Sequence, residues 1–296
     1  ALVVSNNVMW NLATVIGPAC TIDTAIDATN WTIDSNILIK TTSGNGWTLT
    51  DVGGTFTNNT VVSAASVGVS LLEAAVIGTI SGNVSHSCAS NGFSFSTSGT
   101  SGTVSTPTVW RCNSAGIIIG GACVDLVIAS PTVFGNSGNN ILFNSAGIAV
   151  KITSPVSSGD TTFSTTSGIN LAAVGGSALI VDDGDFSTVT GIKNAHTNDI
   201  NISALNDGRI ILRNTKLGAA TEVASQTNLA TTGFVASQKL DQTAGNHKTW
   251  MRYGTLNTDS TIFNTASPSM RMTPNNASGK LESAPQFQGM KVAVAS

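Results

Sequence analysis

The sequence predicts an all-β chain wound as a parallel β-helix of about 24 residues per coil, within the span of known stacked repeats, followed by a small C-terminal β module. Three observations carry this. Five similar segments start at one constant interval, at Phe56, Ile80, Val104, Ile128 and Ile152. Other positions keep the same beat: Pro107, Pro131 and Pro155 share one column, Val69, Phe93, Ile117 and Ile141 a second, and Leu71, Phe95, Ile119 and Phe143 a third. A fixed period in this range marks stacked units that bury their apolar faces against one another. The third observation is composition. Only 10% of residues are charged while 41% are hydrophobic, against an ordinary charged share of roughly 25%. Disordered chains pair low hydrophobicity with high charge, and this chain does the reverse. Its polar surface must come from Ser, Thr, Asn and Gly, which suit turns.

The elements follow in order. Residues 1–55 show β signals without a clean period and hold Trp10, Trp31 and Trp47; the run from Trp31 to Ile39 reads as strand plus turn. A cap and the first coils are expected there, since an uncovered terminal coil leaves open edges. Residues 56–213 are expected to form the helix itself. In the coil from Asn113 to Asn136, Ile117–Ile119 reads as one strand, the run from Cys123 to Ile128 as a second, and Thr132–Phe134 as a third, with turns at Gly120-Gly121 and Ser130-Pro131. Proline is excluded from central ladders, so its column marks a corner. His86, Trp110 and Phe134 form a further column, read as rings stacked on one face. Beyond it the beat loosens: the step from Ile141 to Ile169 is longer than the step from Ile117 to Ile141, an insertion of the kind that maps to loops on one face. The segments around Leu179, Ile200 and Ile210 read as the last of roughly nine coils, each rising ~4.8 Å. Residues 214–245 read as a linker or arm. Residues 246–296 read as a separate β module whose final alternating run, from Met290 to Val294, predicts a polypeptide that continues.

Charge narrows the function classes. The net charge is −3 and no Lys/Arg run occurs, so no nucleic-acid partner is expected. The longest apolar stretch, 115–129, contains Asp125 and falls short of the ~20 residues a spanning helix needs, so no membrane insertion is expected. Of the four cysteines, Cys88 and Cys112 share a column, within disulfide reach; they are read as small buried hydrophobes.

The regular coil, the Ser/Thr/Asn surface and the stretch from Pro268 to Ser283 resemble phage and virus tail spikes, tail fibres and head fibres. The resemblance implies a right-handed β-helix shaft, a homotrimer, neighbours among other virion proteins, a place at the virion surface, and attachment to a host surface or its glycans. No catalytic motif of that family carries over. Two competitors stay open: a polysaccharide lyase or hydrolase on the same scaffold, and a secreted bacterial adhesin or surface repeat protein.

Candidate site residues are few. Trp250, Arg252 and Tyr253 are the candidates for sugar contact, with core packing as the competing reading. Asp182, Asp183 and Asp185 supply hard oxygen donors at a spacing that suits Ca²⁺, against a solvated Gly-centred turn. Paired carboxylates for glycan cleavage are the other reading of that group. Asp125 is expected to point outward. His86, His196 and His247 have no metal-ligand spacing and are assigned surface or packing roles. No catalytic residue and no cofactor is proposed.

Overall fold

The computed structural model describes residues 2–12, 20–22, 31–50, 53–72, 76–146, 148–160, 165–173, 178–186, 196–204 and 209–218, and strands at 221–224, 234–240, 247–253, 256–263 and 268–272. The described residues form strands, turns and bends, with no helix among them.

The earlier coils contribute one short strand to each of three sheets of parallel-stacked strands, and the coils after Val156–Ser158 contribute to the first and third only. The first sheet starts with Leu2–Ser5 and Trp31–Asp34 and runs through Leu126–Ala129 and Ala149–Thr153 to Arg209–Arg213. The second runs from Val8–Leu12 to Val156–Ser158, and the third from Cys20–Ile22 to Thr221–Ala224, with nine strands. The columns read from the sequence are the ladders. Ile117 pairs with both Phe93 and Ile141, and Ile128 with both Val104 and Ile152. Their side chains are almost wholly buried. Each such residue contributes about 1.5–3 kcal/mol by leaving water, and every coil repeats the gain.

Left-handed residues mark two of the corners, one along the whole stack and one in the coils from Lys40 to Gly135. Asn6, Ser35, Asn58, Gly82, Thr106, Ser130, Ser154, Asp183 and Asn214 form one column between the first and second sheets, with φ between 47° and 66°. Small polar residues tolerate this region by bonding locally. The neighbouring column at this corner holds the prolines, but in earlier coils it holds asparagines. Asn59 Oδ1 accepts from the Asn36 backbone N–H (3.1 Å) and side chain (3.0 Å), and Asn83 Oδ1 does the same for Asn59 (2.9 and 3.2 Å). The ladder stops at Pro107, which has no side-chain oxygen to accept from Asn83 and no N–H to carry it further. Lys40, Ser63, Ser87, Arg111 and Gly135 form the second corner.

One strand boundary needs correcting. The strand expected from Cys123 begins only at Leu126, because Asp125 takes a left-handed φ of 53° and breaks the extended run. The described strands before residue 55 pair in register with later coils, without a clean period. The step from Leu2 to Trp31 is long and the step from Thr32 to Thr55 is short, and this unevenness hides the period.

The stretch read as a linker contains two strands. Thr221–Ala224 joins the third sheet, and Phe234–Leu240 lies parallel to Arg209–Arg213 in the first. His247–Tyr253 pairs antiparallel with Phe234–Leu240, and Leu256–Phe263 forms a hairpin with Pro268–Met272. The final alternating run and the rest of 273–296 lie outside the described residues.

Candidate functional site

Two regions gather chemistry-bearing side chains: a buried polar cluster where the coils lengthen, and the outward face of the second sheet.

The cluster arises from a broken glycine column. Gly46, Gly68, Gly92 and Gly116 each precede a strand of the third sheet. A Cβ on Gly92 would lie 2.2 Å from Val109 Cγ1, and one on Gly116 2.4 Å from Val133 Cγ1. One coil later the valine column becomes Ser157 and the glycine column becomes Asn140. The smaller serine makes room for the amide. Two coils further, the same column holds Asp199.

Asn140 sits at the centre of the cluster. Its Nδ2 donates to the carbonyls of Val133 and Ser158, both at 2.9 Å, and its Oδ1 accepts from Asn136 Nδ2 at 2.9 Å. The same Nδ2 lies 2.9 Å from Ser157 Oγ and 3.1 Å from His196 Nε2. His196 Nε2 is 3.1 Å from Ser157 Oγ. On the other side of the ring, Nδ1 faces Asp199 Oδ1 at 3.2 Å, while Asp199 Oδ2 accepts from the Gly218 N–H at 2.7 Å. Serine, histidine and aspartate thus stand in the order of a nucleophile, a base and an orienting carboxylate. Burial decides what they do. Ser157 is 1% exposed, His196 3% and Asp199 0%, so no substrate carbonyl can approach Oγ. The cluster satisfies polar groups inside a widened coil. Its residues were legible only as exceptions: an Asn and an Asp in a glycine column, since the neighbouring column already alternates Val with Ser at Ser85.

The outward face of the second sheet differs from that of the first in charge, and from that of the third in carrying stacked rings and its most exposed apolar side chains. One outward column runs Trp10, Ile39, Val62, His86, Trp110 and Phe134, and the next runs Val8, Ile37, Thr60, Val84, Thr108, Thr132 and Val156. Neither contains a charged residue other than the titratable His86. Outward positions of the first sheet instead include Thr32, Thr55, Thr79, Lys151, Asp182 and Arg213. The expected ring stack is present. His86 and Trp110 centroids are 4.5 Å apart at 6°, and those of Trp110 and Phe134 5.7 Å apart at 2°. The rings therefore cover each other's faces along the coil axis and turn edges outward. Burial in this stack lowers the His86 pKa and favours the neutral ring.

The aspartates do not converge. Asp182 lies between Lys151 Nζ at 2.9 Å and Arg213 Nη1 at 3.6 Å. Asp183 holds the left-handed corner and accepts from Asn214 Nδ2 at 3.2 Å. Asp185 bridges the backbones of Val156 and Lys216. Among the described residues no group of three or more His, Cys, Asp or Glu is arranged to hold a metal ion. Elsewhere, hydrogen bonds from Thr57, then Ser35 and Asn58, hold the Asp34 carboxyl below its ordinary pKa. Asp125 is exposed. Trp250, Arg252 and Tyr253 lie in one strand, paired with Ser237, Val235 and Phe234.

Cys88, Cys112 and Cys123 are free, buried thiols. A hydrogen bond with Cys88, and then burial, push the Cys112 thiol far above its ordinary range; burial pushes Cys123 up to about 11. No family model, no curated protein and no solved structure matches this chain.

Proposed function

We propose that this chain is a structural appendage of a virion, a tail spike, tail fibre or head fibre, whose task is attachment to a host surface or its glycans. The observation that carries the reading is a stack of parallel coils whose outer columns are mostly uncharged Ser, Thr, Asn and apolar residues. Such a stack gives length and stiffness from local contacts between neighbouring coils. An uncharged polar surface suits contact with hydroxyl-rich partners without strong fields. The one Ser–His–Asp arrangement among the described residues is sealed from solvent, which favours a binding role over cleavage.

Immunogold electron microscopy with an antibody to this chain tests the proposal. Gold on a fibre or spike of particles encoding the chain is the expected result. Unlabelled particles, with the chain found on bacterial envelopes instead, would transfer the reading to a surface adhesin. Shortening of host glycans by the purified chain would transfer it to an enzyme.

A further inference from the structure

We propose that the outward face of the second sheet is the surface through which copies of this chain associate. The number of copies expected, three, rests on the appendage reading above; the choice of face does not.

The face has the character of an interface. Four large apolar side chains on it are well exposed: Val8 at 67%, Trp10 at 68%, Ile37 at 39% and Val156 at 36%. With Ile39, Val62, Trp110 and Phe134 they form a continuous strip across seven strands, about 29 Å along the axis at ~4.8 Å per strand. Contiguous apolar strips of this kind mark interaction sites, whereas single exposed residues do not.

Charge and shape select a second copy as the occupant. Association of identical surfaces fails wherever like charges must meet, and no permanently charged residue stands in either column. Two cations flank the strip at the corner: Arg111 is engaged by Asp160 at 3.0 Å, and Lys40 is exposed at the edge beside Ile39, outside both columns. Over three coils the two columns also differ in side-chain size: the rings of His86, Trp110 and Phe134 stand as a ridge beside the smaller Val84, Thr108 and Thr132. Copies laid side by side with parallel axes set the ridge of one against the smaller column of the next, coil by coil. Three such contacts close around an axis, as a head-to-tail contact must if it is not to grow into a fibre. A sugar is the poorer fit, because it stacks on the faces of aromatic rings, and Trp110 has His86 on one face and Phe134 on the other.

Sedimentation of the full chain tests this. The expected species has three times the chain mass, and Trp110→Lys reduces it to the monomer. Thr108→Arg, a change in the smaller column that leaves the ring stack intact, does the same. Circular dichroism shows that each variant keeps its β signal; if Trp110→Lys unfolds, Thr108→Arg alone decides. Val127→Lys, on the outward side of the first sheet, leaves the mass unchanged. A wild-type monomer, or an assembly that survives Thr108→Arg, overturns the proposal. A dimer abolished by that substitution upholds the face and overturns the threefold arrangement. Cell-binding assays separate this from the appendage reading: an assembly that forms through this face yet does not attach to host cells removes only the attachment role.

Discussion

Arg111 and Asp160 stand two coils apart and are joined across Gly135, with Arg111 Nε 3.0 Å from Asp160 Oδ2. The three residues lie at successive steps of one corner. Gly135 has a φ of 60°, and a Cβ added there would lie 2.4 Å from Asp160 Cβ. Lys40, Ser63, Ser87 and Arg111 take the same backbone at this corner, so what singles out the glycine is the Asp160 side chain above it, and a β-branched residue would add backbone strain. Gly135→Val is therefore expected to lower stability by about 1–3 kcal/mol. Arg111→Ala, which removes an ion pair whose arginine is half exposed, should change it by less than about 1 kcal/mol. Urea denaturation of the two variants checks the order. An equal loss for both would mean that the ion pair, rather than the glycine, holds this corner.

The asparagine ladder gives a second ordering. Asn59 is wholly buried; it accepts from Asn36 and donates to Asn83 Oδ1 and to the Ile33 and Thr57 carbonyls. Removing its side chain strands partners on both sides. Asn59→Ala should cost about 3 kcal/mol, because buried groups left unpaired cost about 1–3 kcal/mol each and some relax. Asn7→Ala removes the exposed end of the same ladder and should cost well under that. Thermal melts of the two variants decide it; equal shifts would show that the ladder contributes little beyond local turns.

These corners show how far the sequence could be read. The proline column announced a corner, because proline has one physical meaning in a sheet. Asn59 and Asn83 occupy the same column, yet asparagine is common in this chain and fits a solvated turn equally well. The ladder emerges only when coils are stacked in register. Apolar columns such as Phe93, Ile117 and Ile141 were legible for the opposite reason: bulky residues recurring at one fixed interval have no place but the interior. The buried cluster was opaque because its members are scattered from Asn136 to Asp199 and none repeats. Asp182, Asp183 and Asp185 were misleading in their proximity, since adjacent residues at a corner face different directions.

The buried cluster predicts a large and specific loss. Asp199→Ala leaves His196 Nδ1–H and the Gly218 N–H without their acceptor inside the protein. Two buried donors left unpaired cost about 1–3 kcal/mol each. Ser157→Ala removes neutral contacts to Asn140 Nδ2 and His196 Nε2, whose groups keep other partners, and should cost about 1–2 kcal/mol. Chemical denaturation of both variants checks the ratio, and labelling with a fluorophosphonate checks the chemistry. The sealed geometry predicts no Ser157 adduct in the native protein.

His86 sets the pH dependence of the aromatic strip. Its folded-state pKa lies below the ordinary value of 6.5 because the stack against Trp110 removes water from the ring. The folded form therefore binds its proton less readily than the unfolded chain does. The sign follows from linkage: the stability is fully present above pH 6.5 and is lost as pH falls from there through the lower folded value. His86→Gln keeps a polar group on the strip and removes this titration. Melting temperatures of the wild type and the variant should run parallel above neutrality and diverge below pH 6.5, with the wild type falling faster. If the assembly proposed above forms, the same proton places a charge in the middle of an apolar contact, so acid should dissociate wild-type copies before it dissociates those of His86→Gln. Identical pH profiles for the two proteins would show that the ring is hydrated enough to titrate freely.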